Sequence, residues 1–131
     1  PVNASVEPAK TLHSMHLIDS FVLGNPADEI FPAIYGASKV EIVNSLGIIE
    51  TYDAAAIIVA ADQAAKTAEV SLIEIRLARG MCGKSYLLIT GEVAAVEAAI
   101  ARAQKAVEPR GMYLDSSVIA RPDKKLIDQI L

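Results

Sequence analysis

The chain has 131 residues, a single cysteine, no tryptophan and a formal net charge of −4. That length holds one domain plus an extension and buries a core without covalent staples; the acidic balance, with no basic cluster, argues against nucleic acid and anionic membranes as partners, and the lone Cys82 excludes an internal disulfide framework and fits a reducing cytoplasm. The mean hydropathy of +0.37 is high, yet the longest apolar run, 54–61, is far short of a membrane span, so surplus apolar surface is expected to be hidden in an oligomer.

In chain order, residues 1–14 carry Pro1, Asn3, Ser5 and Pro8 without a period and read as a flexible lead. Residues 16–23 read as a strand ended by Gly24-Asn25-Pro26, since proline cannot donate to a ladder. A short helix over 28–35 follows, with Gly36 as its C′ residue, and 37–44 form a linker. Leu46–Thr51 is a strand, and Asp53 is placed to cap a helix over 54–67 that is rich in alanine, so that a neighbour can approach closely. Over 70–77 strict alternation puts Ile73, Ile75 and Leu77 on one face and Leu72, Glu74 and Arg76 on the other. The glycine-flanked loop Arg79-Gly80-Met81-Cys82-Gly83-Lys84 leads to a strand over 86–90. A helix over 92–107 then buries Val93, Val96, Ile100, Ala103 and Val107. A strand over 112–119 and a short helix from Pro122 close the chain.

Residues 17–34 resemble residues 113–130 at an offset of 96 positions without a gap: Asp19/Asp115, Ser20/Ser116, Val22/Val118, Pro26/Pro122 and Ile34/Ile130 are identical. An element recurring at a domain-sized spacing suggests a tandem protein, with 1–44 as an extension carrying the tail of one domain and 45–131 as a complete one. From residue 46 the order β-α-β-β-α-β predicts an α+β domain of ferredoxin-like layout: an antiparallel four-stranded sheet with both helices on one face, preceded by a strand-helix extension.

Four segments in this order resemble the bacterial microcompartment (BMC) shell domain: Leu46-Gly-Ile-Ile-Glu-Thr51, Ala60-Ala-Asp-Gln-Ala-Ala-Lys66, Lys84-Ser-Tyr-Leu-Leu-Ile-Thr-Gly-Glu-Val93 and Ser117-Val-Ile-Ala-Arg-Pro122. Leu17–Leu23 followed by Phe31-Pro-Ala-Ile34 is similar to the inter-domain join of tandem shell proteins of the propanediol-utilisation type. The resemblance implies a structural tile, not an enzyme. Its trimers (pseudohexamers) or hexamers would form flat discs that pack edge to edge with other shell proteins, in the cytoplasm, around an enzyme core. It implies that Arg79, Gly80, Met81, Cys82, Gly83 and Lys84 line a central pore for metabolites or electrons, and that Lys66 and Arg121 stand at the disc edge.

Cys82 is the candidate metal ligand. Three copies meeting on a three-fold axis would hold three irons of one 4Fe–4S cluster, a role the resemblance supports. Where tandem shell proteins of the propanediol-utilisation type place their cluster cysteine in a Cys-Pro-Gly-Lys context of the first domain, this chain has Met81-Cys82-Gly83-Lys84 in what reads as the second. A small thiol beside glycines is the plain alternative. Arg79 and Lys84 would give a pore positive potential, or are solvated loop charges. His13 and His16 lack the companions of a metal site, and no nucleophile–base set or phosphate loop is present. The competing function is a small-molecule regulatory module of ACT-like layout; an enzyme of the same layout ranks below it.

Overall fold

Ser45–Thr51 (β1) is the strand on which the domain is built, and it is covered on both faces. The computed structural model describes residues 2–40 and 44–131; Pro1 and the linker residues 41–43 lie outside the described residues. The elements ahead of β1 are α1 (Val2–Leu12) and α2 (Ile30–Ile34). After it come α3 (Ala54–Thr67), β2 (Val70–Arg76), β3 (Ser85–Gly91), α4 (Val93–Val107), a 3-10 turn over Glu108–Arg110, β4 (Tyr113–Ala120) and α5 (Lys124–Ile130). The strands order β2-β3-β1-β4 with every neighbour antiparallel, and α3 and α4 pack together on one face, which is the expected ferredoxin-like layout.

Two features of β1 explain its place. Ile49 is fully buried against the helices, while Leu46 is buried on the opposite face with Ile73 and Leu88. Gly47 lies beneath α4, where a Cβ would stand 2.6 Å from Val96 Cγ1 and 2.8 Å from Ile89 Cγ1. Absence of a side chain there lets the helix settle onto the sheet. The chain then turns into α3 at Asp53, whose carboxylate accepts from the Ala56 N–H at 2.6 Å. Replacing Asp53 by alanine is expected to lower stability by about 1 kcal/mol in urea denaturation, and serine to recover most of it. Equal midpoints for the alanine variant and the parent would refute that role.

The alternation expected for β2 is corrected by a bulge. Leu72 pairs with Ile89 and Glu74 with Leu88, so Ile73 is an extra residue in the ladder. Leu72 and Ile75 therefore share the helix-side core, while Ile73 joins Leu46 and Leu88 behind the sheet.

The extension differs from expectation at two points. Residues 2–12, expected as a flexible lead, form α1, which continues through Pro8 and buries no side chain. Its register is held by local contacts, a Glu7–Lys10 ion pair at 3.2 Å and the Thr11 hydroxyl donating to the Glu7 carbonyl at 3.1 Å. Residues 16–23, expected as a strand, join no ladder. The place they resemble, beside β1, is filled by β4. The helix that follows is shorter than expected and ends with Gly36 at φ +64°, the left-handed C′ position. It docks Ile30 (2% exposed) and Ala33 (0%) into the core shared by α3 and β2.

Candidate functional site

The loop between β2 and β3 projects from the sheet as two tight turns in succession. The Met81 N–H donates to the Ala78 carbonyl and the Lys84 N–H to the Met81 carbonyl, both at 3.1 Å. Ser85, buried at the start of β3, fastens the base of the loop by accepting from the Ala78 N–H at 2.9 Å. Four of its residues are left-handed: Ala78 (φ +51°), Gly80 (+76°), Cys82 (+53°) and Gly83 (+92°). Glycine takes this conformation freely, whereas Ala78 and Cys82 each store strain of about 1 kcal/mol that the surrounding turns must hold. Arg79, Gly80, Cys82 and Lys84 are exposed and Met81 is half-buried, so the six expected pore residues are contiguous and carry a free thiol at the surface.

Beneath this loop lies a cavity of about 320 Å³, lined by Ile18, Asp19, Asp53, Ala54, Ala78 and Gly83 among others. The second carboxylate oxygens of Asp19 and Asp53 are buried without a hydrogen-bond partner among the described residues.

The two expected edge cations occupy different settings. Lys66, at the C-terminal end of α3, ion-pairs with Asp62 at 2.7 Å and donates to the Asn25 carbonyl at 2.6 Å. Asp62, only 1% exposed, also accepts from the Ala27 N–H at 3.0 Å. The pair thus clamps the turn that precedes α2. Arg121 follows β4 with φ +49°; its N–H donates to the Asn44 carbonyl at 3.0 Å and its side chain is exposed.

A second clamp holds the extension further upstream. The Arg110 guanidinium pairs with Asp19 and donates to the Ser20 carbonyl at 3.1 Å. Nothing local in the sequence marks that pair, which spans 91 positions, whereas Asp62 and Lys66 stand at the i, i+4 spacing of a helical ion pair.

A polar cluster on the sheet face away from α3 and α4 was also not anticipated. Glu74 accepts from Arg76 Nε at 2.9 Å and from the Tyr86 hydroxyl at 3.1 Å, and Arg76 lies 5.8 Å from the centre of the Tyr86 ring. The hydrogen bond to Glu74 holds the Arg76 guanidinium above its ordinary value; burial, followed by the same carboxylate, pushes the Tyr86 phenol up. Arg76 also lines, with Ile34, Tyr35, Arg79 and their neighbours, an open groove of about 330 Å³. Among the described residues no group of three metal-ligating side chains comes together, and no helix is long and apolar enough to cross a membrane.

Comparison with known proteins agrees with this arrangement. Residues 45–122 match the model of the BMC domain. The bacterial microcompartment shell protein PduT of Citrobacter freundii is 34% identical over 130 residues, covering 99% of this chain and 71% of that protein. A microcompartment protein from Desulfitobacterium hafniense has a crystal structure that superposes with a TM-score of 0.84 at 41% identity, covering 97% of this chain and 71% of that one. These matches do not favour the ACT-like alternative. With the β2-β3-β1-β4 sheet, its paired helices and these relatives in agreement, the chain belongs to the BMC-domain family of bacterial microcompartment shell proteins.

Proposed function

We infer that this chain is a tile of the shell that builds a three-fold disc, with loop 79–84 brought to the axis as a pore lining. The observation that carries the reading is the exposed, strained, glycine-framed loop of a BMC domain, with Cys82 at its surface. In this reading residues 1–44 are the tail of a preceding BMC domain and their join to the next, and the disc meets other shell proteins at its edges in the cytoplasm. The Arg121 side chain is exposed and has no ion pair among the described residues, so it can serve such an edge. Lys66 has two of its three donors committed within the chain, to Asp62 and the Asn25 carbonyl. Arg79 and Lys84 give the pore a positive rim that favours small anionic metabolites.

The fit of a 4Fe–4S cluster rests on one thiol per chain. A single chain cannot hold it, since its described residues bring no three ligands together, whereas an accessible loop-tip thiol repeated on a three-fold axis supplies three thiolates. Such a cluster would supply one-electron transfer across the shell. The chain's own contribution is to hold Cys82 exposed and its backbone left-handed, with the loop fastened at Ser85.

The test is the native mass and iron content of protein purified without oxygen. A three-fold assembly with about four irons per trimer, lost in Cys82→Ser while the trimer persists, is the expected result. A metal-free disc would leave Cys82 an ordinary pore residue. A stable monomer at high protein concentration would remove the tile itself.

A further inference from the structure

The two buried carboxylate oxygens that find no partner among the described residues belong to side chains lining one hollow, the cavity of about 320 Å³ beneath loop 79–84. Asp53 is 5% exposed; one of its oxygens is committed to the Ala56 N–H and the other is spare. Asp19 is 15% exposed at its side chain; one oxygen takes the Ser20 N–H at 2.7 Å and the Arg110 guanidinium, and the other is spare. Each carboxylate therefore has one oxygen that holds the fold together and one that does not. A buried acceptor without a donor is costly, the more so when it is charged, so the spare pair calls for a partner supplied from outside.

The rest of the hollow says what that partner is. Its walls are otherwise apolar: Ile18 from the extension, Ala54 and Ala55 from the first turn of α3, and Ala78 at the base of the loop. The Ile18 side chain is 75% exposed, apolar surface that an occupant would cover. The volume is about ten times the share of one molecule in liquid water, far more than a bare ion fills. A hard divalent cation asks for about six oxygens or more, whereas two are spare and no third ligating side chain joins them among the described residues. Charge narrows the choice further. Asp19 is balanced by Arg110, while Asp53 has no ion pair among the described residues, which leaves one net negative charge for a monocation to meet. An ammonium group brings three donors to two acceptors, and a short carbon chain suits the alanine walls.

We propose that this hollow is a binding site for a small primary ammonium ion with a short apolar chain. The ammonium head donates to the spare oxygens of Asp19 and Asp53, and the carbon chain lies along Ile18, Ala54 and Ala78. The site is built within one chain and goes beyond the disc reading without resting on it. Its position gives it a second effect. Ala78 and Gly83, both left-handed and at opposite ends of the loop, line the same hollow, so an occupant braces the loop at both of its feet.

The experiment is calorimetric titration of the full natural polypeptide with n-butylammonium chloride, against potassium chloride and 1-butanol as comparators. Asp53→Asn removes the charge and keeps a good helix cap, and Ala54→Leu fills the hollow from a helical position while leaving both carboxylates in place. Glu97→Gln, at an exposed site on α4, is the control of equal charge change, and thermal melting checks that each variant folds. The parent is expected to bind one butylammonium per chain, with amide exchange over 78–84 slowed at saturation. Asp53→Asn should weaken binding by about tenfold or more, Ala54→Leu should abolish it, and Glu97→Gln should match the parent. A parent that shows no saturable binding, or undiminished binding in either site variant, would overturn the site. Potassium or 1-butanol held as tightly as butylammonium would overturn the ammonium class. None of these results alters the native mass or iron content on which the tile reading is tested.

Discussion

Valine at Gly47 is expected to lower stability by about 3 kcal/mol and the melting temperature by about 10 °C. The added Cβ alone would stand 2.6 Å from Val96 Cγ1, 2.8 Å from Ile89 Cγ1 and 3.2 Å from Ile100 Cγ1. Val96 and Ile89 are fully buried and Ile100 nearly so; they belong to the layer that joins α4 to the sheet. A close-packed interior has no slack to take three such contacts, so α4 must lift or neighbouring side chains must leave their rotamers. Gly47→Ala should show the same effect at smaller size. Denaturation midpoints of both variants against the parent decide the matter: a valine variant within about 0.5 kcal/mol would mean that α4 does not rest on β1 at this position.

Asp62→Ala carries the second large effect, about 2–3 kcal/mol, and it should be spatially selective. Asp62 is buried, and its carboxylate serves the Ala27 N–H and Lys66 together. Its loss strips a partner from a backbone donor and releases one of the two contacts of Lys66, whose remaining bond goes to the Asn25 carbonyl. The Lys66 side chain is 43% exposed, so water recovers part of that loss; the orphaned N–H and the loosened turn account for most of the cost. Limited proteolysis and amide exchange should find the damage in 24–36, with β1 and β3 protected as in the parent. Uniform loosening of the whole sheet would instead identify Asp62 as a core residue unconnected with the extension.

The parts of this fold that could be read in advance were those governed by local rules. Asp53 and the alanine run after it marked the start of α3, and the stripe through Val96, Ile100, Ala103 and Val107 marked the buried face of α4. The β2 bulge escaped because Leu72-Ile73 and Ile75 are all apolar. Alternation assigns such residues to faces only if the count is uninterrupted, and the interruption is visible only in the pairing with β3. α1 was hidden by Pro8. Residues 17–23 have the composition of a strand, but a strand exists only by virtue of a neighbour, and β4 already occupies that side of β1. At the candidate site, loop 79–84 was legible from its glycines and from the resemblance of its flanks. The Asp19–Arg110 clamp and the Glu74–Tyr86 contact were not, because they join distant positions through geometry alone.

The bulge in β2 also bears on how shell tiles can change length. Ile73 adds a residue to the strand without adding a rung to the ladder: Leu72 and Glu74 face consecutive partners, Ile89 and Leu88, on β3. Dropping that residue would leave every later pair, Ile75 with Leu87 and Arg76 with Tyr86, where it stands. A deletion two residues later, at Ile75, would slide Arg76 opposite Leu87, turn it toward the helices, and shift the approach to loop 79–84. The strand thus contains one site where a codon can be lost with its register intact, and drift in the length of this edge among related chains should concentrate there, leaving loop 79–84 unmoved.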